Sequence, residues 1–128
     1  MPIPEGRGRW VAREPALAEN VSMTPPDRLA SLMSLLANDP DDAFCLYGIA
    51  QEHAGRGDHD VALGWYEKAA IADPNDGYIH YHRARSLQEL GRIEDALAAV
   101  QDGMAAADRG GDAHAREELS ALIETLEG

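Results

Sequence analysis

Two short stripes hold the residues best suited to recognise something. Phe44, Tyr47 and Gln51 are spaced three and four apart, and Tyr78, Tyr81, Arg85 and Gln88 follow the same rule. On a helix that spacing puts each set on one face. Tyrosines and a phenylalanine on an exposed stripe are costly unless covered or used, and tyrosine with arginine is the composition of binding hot spots. The chemistry they suit is non-covalent recognition of another protein. The competing reading is that the rings only fill the inner curve of a helical stack, or touch the chain's own N-terminal residues.

Covalent chemistry finds little support. No nucleophile stands at a defined spacing from a base, and no glycine-rich phosphate loop follows a strand. The many carboxylates are what a solvated helix face supplies without any acid–base role. His80 and His82 are two apart, which points them to different faces of a helix, and His53 and His59 straddle a turn. No His-x3-His or Cys-x2-Cys pair exists to chelate a metal from one element. A titrating His82 suits these residues better than a metal site. Cys45 is the only cysteine, and Asp41 and Asp42 beside it oppose a low thiol pKa. The sequence is therefore read as a non-enzyme with no cofactor and no metal.

Composition narrows the partners. The chain has 128 residues, enough for one modest core, and its 45% hydrophobic content is that of a globular protein. Ala and Leu dominate the apolar set, which favours helices. The net charge of −12 disfavours nucleic acid and anionic membrane surfaces as partners. With one cysteine, no internal disulfide forms. No segment reaches the ~20 apolar residues of a membrane span, and no secretion signal is evident. The expected location is cytoplasmic.

The elements that position the two stripes come from a pattern written twice. Asp39-Pro40 recurs as Asp73-Pro74, 34 residues later, and Tyr47, Ala50, Gly57, Ala62 and Leu63 recur at the same offset as Tyr81, Ala84, Gly91, Ala96 and Leu97. That period belongs to helix–turn–helix units that bury their apolar faces only by stacking. The unit resembles a tetratricopeptide repeat. The first copy carries Leu46, Ile49, Ala50, His53, Gly57, Ala62, Tyr66, Ala69 and Pro74 at that family's signature positions. The second carries His80, Arg83, Ala84, Leu87, Gly91, Ala96, Val100 and Gly103 there.

The expected fold is thus all-α, a short α-solenoid of antiparallel helix hairpins with a TPR-like superhelix over residues 23–128. Within it, 24–38 is a half-repeat helix, 43–76 the first repeat, 77–110 the second, and 111–127 a capping helix with Leu119, Leu122, Ile123 and Leu126 inward. Helices are expected at about 42–54, 59–72, 76–89 and 93–108. Residues 1–22 read as a disordered or extended arm, with Trp10 and Val11 as its docking residues if it docks, or as residues ahead of an initiator at Met23. His80 and Arg83 occupy places that are usually apolar. They leave the second repeat's first helix soft, with Arg83 either paired to a carboxylate such as Glu52 or reaching water past its packed stem.

The resemblance implies a concave groove that receives an extended peptide or a partner helix. Its lining, carried over residue by residue, is Phe44, Tyr47 and Gln51, then Tyr78, Tyr81, His82, Arg85, Gln88 and Glu89. Acids at Asp60, Glu67, Glu94, Asp95 and Asp102 fall on the second helices, while His80, His82, Arg83 and Arg85 cluster on one first helix, so the groove is expected to be aromatic and locally positive. Arg85 and His82 would clamp a partner's acidic or carboxylate group. The family's carboxylate-clamp version has Lys and Asn where Tyr47, Gln51 and Tyr81 stand, which argues against a chaperone C-terminal tail as ligand. The function read from all this is a non-catalytic adaptor for a peptide segment or partner helix. The alternative is a self-associating scaffold, a homodimer through groove, arm or solenoid ends.

Overall fold

The computed structural model describes residues 25–128, and these form six helices: α1 Pro25–Asn38, α2 Ala43–Gly55, α3 His59–Ala72, α4 Gly77–Glu89, α5 Ile93–Gly110 and α6 Ala113–Glu127. The arm at 1–22 and Met23 lie outside the described residues. Each helix packs on its predecessor, and α4 also touches α2 on one side and α6 on the other. The first helices of successive hairpins therefore form one inner layer. This is the all-α solenoid of helical hairpins that the 34-residue period predicts.

Local signals explain the boundaries. Asp42 caps α2 by accepting from the N–H groups of Phe44 at 2.9 Å and Cys45 at 3.3 Å. Asp76 and Asp112 cap α4 and α6 in the same way, through Tyr78 at 2.9 Å and Ala115 at 3.0 Å. Just before the Asp42 cap, the Asp41 N–H donates to Asp39 Oδ1 at 3.4 Å. At the hairpin turns Gly57 and Gly91 take φ of 84° and 75°, a left-handed conformation that costs glycine nothing. Both Asp-Pro pairs lie in the connections between helices. Arg109 anchors the second, donating to Asn75 Oδ1 at 3.0 Å and to the Pro74 carbonyl at 2.6 Å.

Two apolar clusters hold the stack together. Leu46, Ala50, Ala62, Tyr66, Ala69 and Ile79 join α2, α3 and α4, while Ala84, Leu87, Ala96, Val100, Ala115, Leu119 and Leu122 join α4, α5 and α6. The alanines are nearly all fully buried, letting backbones approach closely. Leu32 of α1 docks on Gly48, where an added Cβ would sit 3.1 Å from its methyl. Cys45 is buried too; burial, with Asp42 beside it, lifts its thiol pKa. No helix among the described residues is long and apolar enough to cross a membrane.

The polar positions of α4 differ from the expected pairing. Glu52 is taken by Arg28 of α1 at 2.9 Å. Arg83 instead reaches across to α5, where its guanidinium meets Asp102 Oδ2 at 3.0 Å. It also donates to His80 Nδ1 at 3.3 Å, a bond that needs an uncharged imidazole. Burial, followed by the charge of Arg83, lowers the His80 pKa accordingly. So α4 is tied to α5 by the Arg83–Asp102 ion pair.

Candidate functional site

Six rings run in an unbroken series across the inner layer. Tyr66 of α3 lies 6.2 Å from Tyr47 of α2, and Tyr47 lies 5.7 Å from His82 of α4. His82 then meets Tyr81 at 5.1 Å, Tyr81 meets Tyr78 at 6.4 Å, and Tyr78 meets His114 of α6 at 6.1 Å. Tilted and edge-on contacts of this kind stabilise ring pairs beyond their buried area. Hydrogen bonds lock the series. Gln51 donates to the Tyr47 hydroxyl at 3.1 Å and accepts from the Tyr66 hydroxyl at 3.0 Å. At the far end the Tyr78 hydroxyl bonds His114 Nδ1.

Two open clefts flank the rings. One, of about 340 Å³, lies between α2, α3 and α4 and is walled by Gln51, Tyr66, His82, Arg85 and Ser86. The other, of about 410 Å³, lies between α4 and α6 with Tyr81, Gln88, Glu118, Leu122 and Thr125 around it. Arg85 and Glu89 border both clefts. A roomier hollow of about 630 Å³ by Pro40, Leu46, Lys68 and Ile71 holds none of the paired rings.

Of the residues picked from the stripes and the resemblance, Tyr47, Gln51, Tyr78, Tyr81, His82, Arg85, Gln88 and Glu89 fall along these rings and clefts. Phe44 does not join them. It sits in the first turn of α2, 69% exposed, outside the ring pairs found among the described residues. Five contributors were missed. Tyr66 reads from sequence as core filling, yet its hydroxyl supports the floor through Gln51. His59 and Ser86 meet at 3.0 Å beneath the first cleft. Glu118 and His114 come from α6, where the spacing His114, Glu118, Ala121, Thr125 is a helical stripe that could have announced them.

The electrostatics differ from the expected positive groove. His82 has its pKa lowered, first by burial and then by Arg85, so near neutral pH it is an uncharged ring. His80 and Arg83 face α5 and leave the groove altogether. That leaves Arg85 as the cation, donating to the Tyr81 hydroxyl at 3.4 Å, with Glu89 and Glu118 close by. Burial, then Asp76, pushes the Tyr47 pKa up to about 12. Among the described residues no group of three His, Cys, Asp or Glu side chains is arranged to hold a metal.

Two buried imidazoles with lowered pKa values give a sign to the pH dependence. The unfolded chain takes up protons on these histidines near pH 6.5 while the folded chain resists, so stability falls as pH drops below that value. Thermal melts between pH 7.5 and 5.5 check it (range chosen to bracket the ~6.5 of a free imidazole). His82→Gln should flatten part of the decline, and an unchanged slope would show the imidazole to be solvated.

Comparison with known proteins finds the same architecture. The family model described as "Anaphase-promoting complex, cyclosome, subunit 3" matches residues 27–103. No curated protein matches the chain. Among solved structures, the type III secretion translocator chaperone SycD of Yersinia enterocolitica aligns with a TM-score of 0.73 at 18% identity, over 88% of this chain and 78% of that one. A second SycD structure, in complex with a peptide of the translocator YopD, gives the same score and identity over 88% and 86%. An O-GlcNAc transferase mutant of Thermobaculum terrenum aligns at 0.58 and 19% identity, over 77% of this chain and 21% of that one. At these identities the likeness is one of fold.

Proposed function

We propose, because the chain belongs to the anaphase-promoting complex subunit 3 family of tetratricopeptide-type repeats, that it is a non-catalytic protein-interaction module whose inner face takes an extended segment of another protein. The observation that carries this reading is the unbroken ring series over three inner helices, flanked by two open clefts. Ring faces give contact area at low entropic cost, and the clefts beside them accept alternate side chains of a bound strand or one face of a helix. Arg85 supplies a charged donor for a carbonyl or carboxylate of the ligand. That SycD, of similar fold, has been seen in complex with a peptide of YopD supports a segment of another protein as the ligand. The pairing of His59 with Ser86 does not argue for catalysis, since Ser86 at the cleft wall is only 2% exposed.

A display library of random peptides selected on the whole chain tests the reading. Selected ligands should bind with micromolar affinity, as a two-repeat surface of limited area allows. They should lose about tenfold on Arg85→Glu, the scale of one charge-assisted hydrogen bond, and more on Tyr47→Ala with Tyr81→Ala. Asp60→Lys on the outer side should leave binding unchanged. Ligands indifferent to Tyr47, Tyr81 and Arg85 would refute the groove.

Self-association is favoured by a separate observation. Met33, Leu35 and Phe44 expose 45%, 54% and 69% of their surface around the first two helices. Light scattering over a concentration series decides it, and a constant mass of 13.8 kDa removes it.

A further inference from the structure

Tyrosine faces rimmed by carboxylates make a receptor for guanidinium groups: the rings attract the cation and the carboxylates accept its paired N–H donors. The inner face has both parts. Glu89 borders both clefts and Glu118 the second. Around Tyr78 the charges of Asp112, Glu118, Asp76 and Glu117 add to partial burial in raising the hydroxyl pKa. Against these stands the single charge of Arg85. The whole −12 belongs to residues 25–128, because the three arginines and three glutamates of residues 1–24 cancel.

Those three arginines are not mixed with the glutamates. Arg7, Arg9 and Arg13 surround Trp10 in a stretch without an acid, Arg7-Gly8-Arg9-Trp10-Val11-Ala12-Arg13. It is the complement of a tyrosine and carboxylate surface, and the one arginine and tryptophan cluster in the chain. Its point of attachment is also favourable. α1 begins at Pro25, less than one turn before Arg28, and Arg28 is bonded to Glu52 at 2.9 Å. Gln51, the neighbour of Glu52, already lines the first cleft. The twelve residues from Arg13 to Pro25 span up to ~40 Å when extended. Three adjacent helices are only ~20 Å across from first axis to last.

We propose that residues 7–13 fold back onto the ring and carboxylate face of their own chain and occupy it until another protein segment displaces them. The proposal rests on the groove reading above and names its resident ligand. Trp10 packs on the tyrosines, and the arginines face Glu89, Glu118 and the acids of α6. A short tether provides an effective concentration of ~1 mM. Against a free peptide of ~100 µM affinity, that occupancy weakens outside binding about tenfold.

The test uses the full chain and a labelled peptide with the sequence of residues 5–15. A variant carrying Arg7→Glu, Arg9→Glu, Arg13→Glu and Trp10→Ala should bind the peptide about tenfold more tightly than the parent does. Adding Tyr47→Ala and Tyr81→Ala to that variant should abolish binding. Equal affinity for parent and variant, or no binding to the variant, overturns the proposal. A parent that scatters light as a dimer and a variant that does not would overturn the intramolecular placement. A library-selected ligand run in parallel separates the two readings. If it still depends on the tyrosines, only the arm proposal falls; if it does not, both fall.

Discussion

Tyr66→Ala should lower the unfolding free energy by about 4 kcal/mol, the cost of deleting a fully buried aromatic ring. Tyr66 is 1% exposed within the α2–α3–α4 cluster, and burial, with Tyr47 next to it, holds its hydroxyl well above the usual phenol pKa. The ring also supports the floor of the first cleft. Its hydroxyl donates to Gln51, and Gln51 in turn fixes the Tyr47 hydroxyl. Tyr66→Phe keeps the ring and removes only the bond, so about 1 kcal/mol should go. Ligand binding should weaken in Tyr66→Phe as well, because Gln51 and Tyr47 lose their fixed orientation. Urea unfolding of the three proteins measures the stabilities. A loss below about 1.5 kcal/mol for Tyr66→Ala would mean the neighbours collapse into the space.

Glycines in two neighbouring second helices should respond with opposite signs. Gly103 of α5 faces His80 and Leu119, and a Cβ there would sit 2.8 Å from the His80 Cβ and 3.0 Å from a Leu119 methyl. Neither the backbone of α4 nor the packed Leu119 has room to withdraw. Gly103→Ala should therefore cost about 2 kcal/mol, overpacking outweighing the ~1 kcal/mol that alanine gains in a helix. Gly64 of α3 has nothing within 4 Å of such a Cβ. Gly64→Ala should stabilise by about 0.5–1 kcal/mol, since only the propensity and chain-entropy effects act there. Paired melts of the two variants check both signs. Stabilisation by Gly103→Ala would show that α5 and α6 are free to move apart.

The helices were legible because their signals are local. Asp42, Asp76 and Asp112 each cap the helix that follows within a few residues, and Gly57 and Gly91 mark turns by a conformation few other residues take. The 34-residue echo then implied stacking. Partner choice across helices was less readable. Arg83 had several carboxylates within reach in sequence, and its selection of Asp102 depends on how α4 and α5 dock, while Glu52 was already claimed from α1. The charge state of His82 depends on burial by helices on both sides, which its neighbours in the chain do not reveal. Spacing alone put Phe44 on a stripe with Tyr47 but not whether another ring stands across from it. α6 was read with an inward and an outward face, yet its position beside both α4 and α5 gives it a third, which brings His114 and Glu118 to the rings.

The buried thiol of Cys45 makes the molecule its own timekeeper. With one cysteine in the chain, any alkylating reagent that reacts has caught α2 lifted from its seat, because the closed form shields the sulfur and disfavours its thiolate. Modification rates followed with and without a bound segment would count those openings directly, and would tell how far a visitor in the hollow steadies the first hairpin.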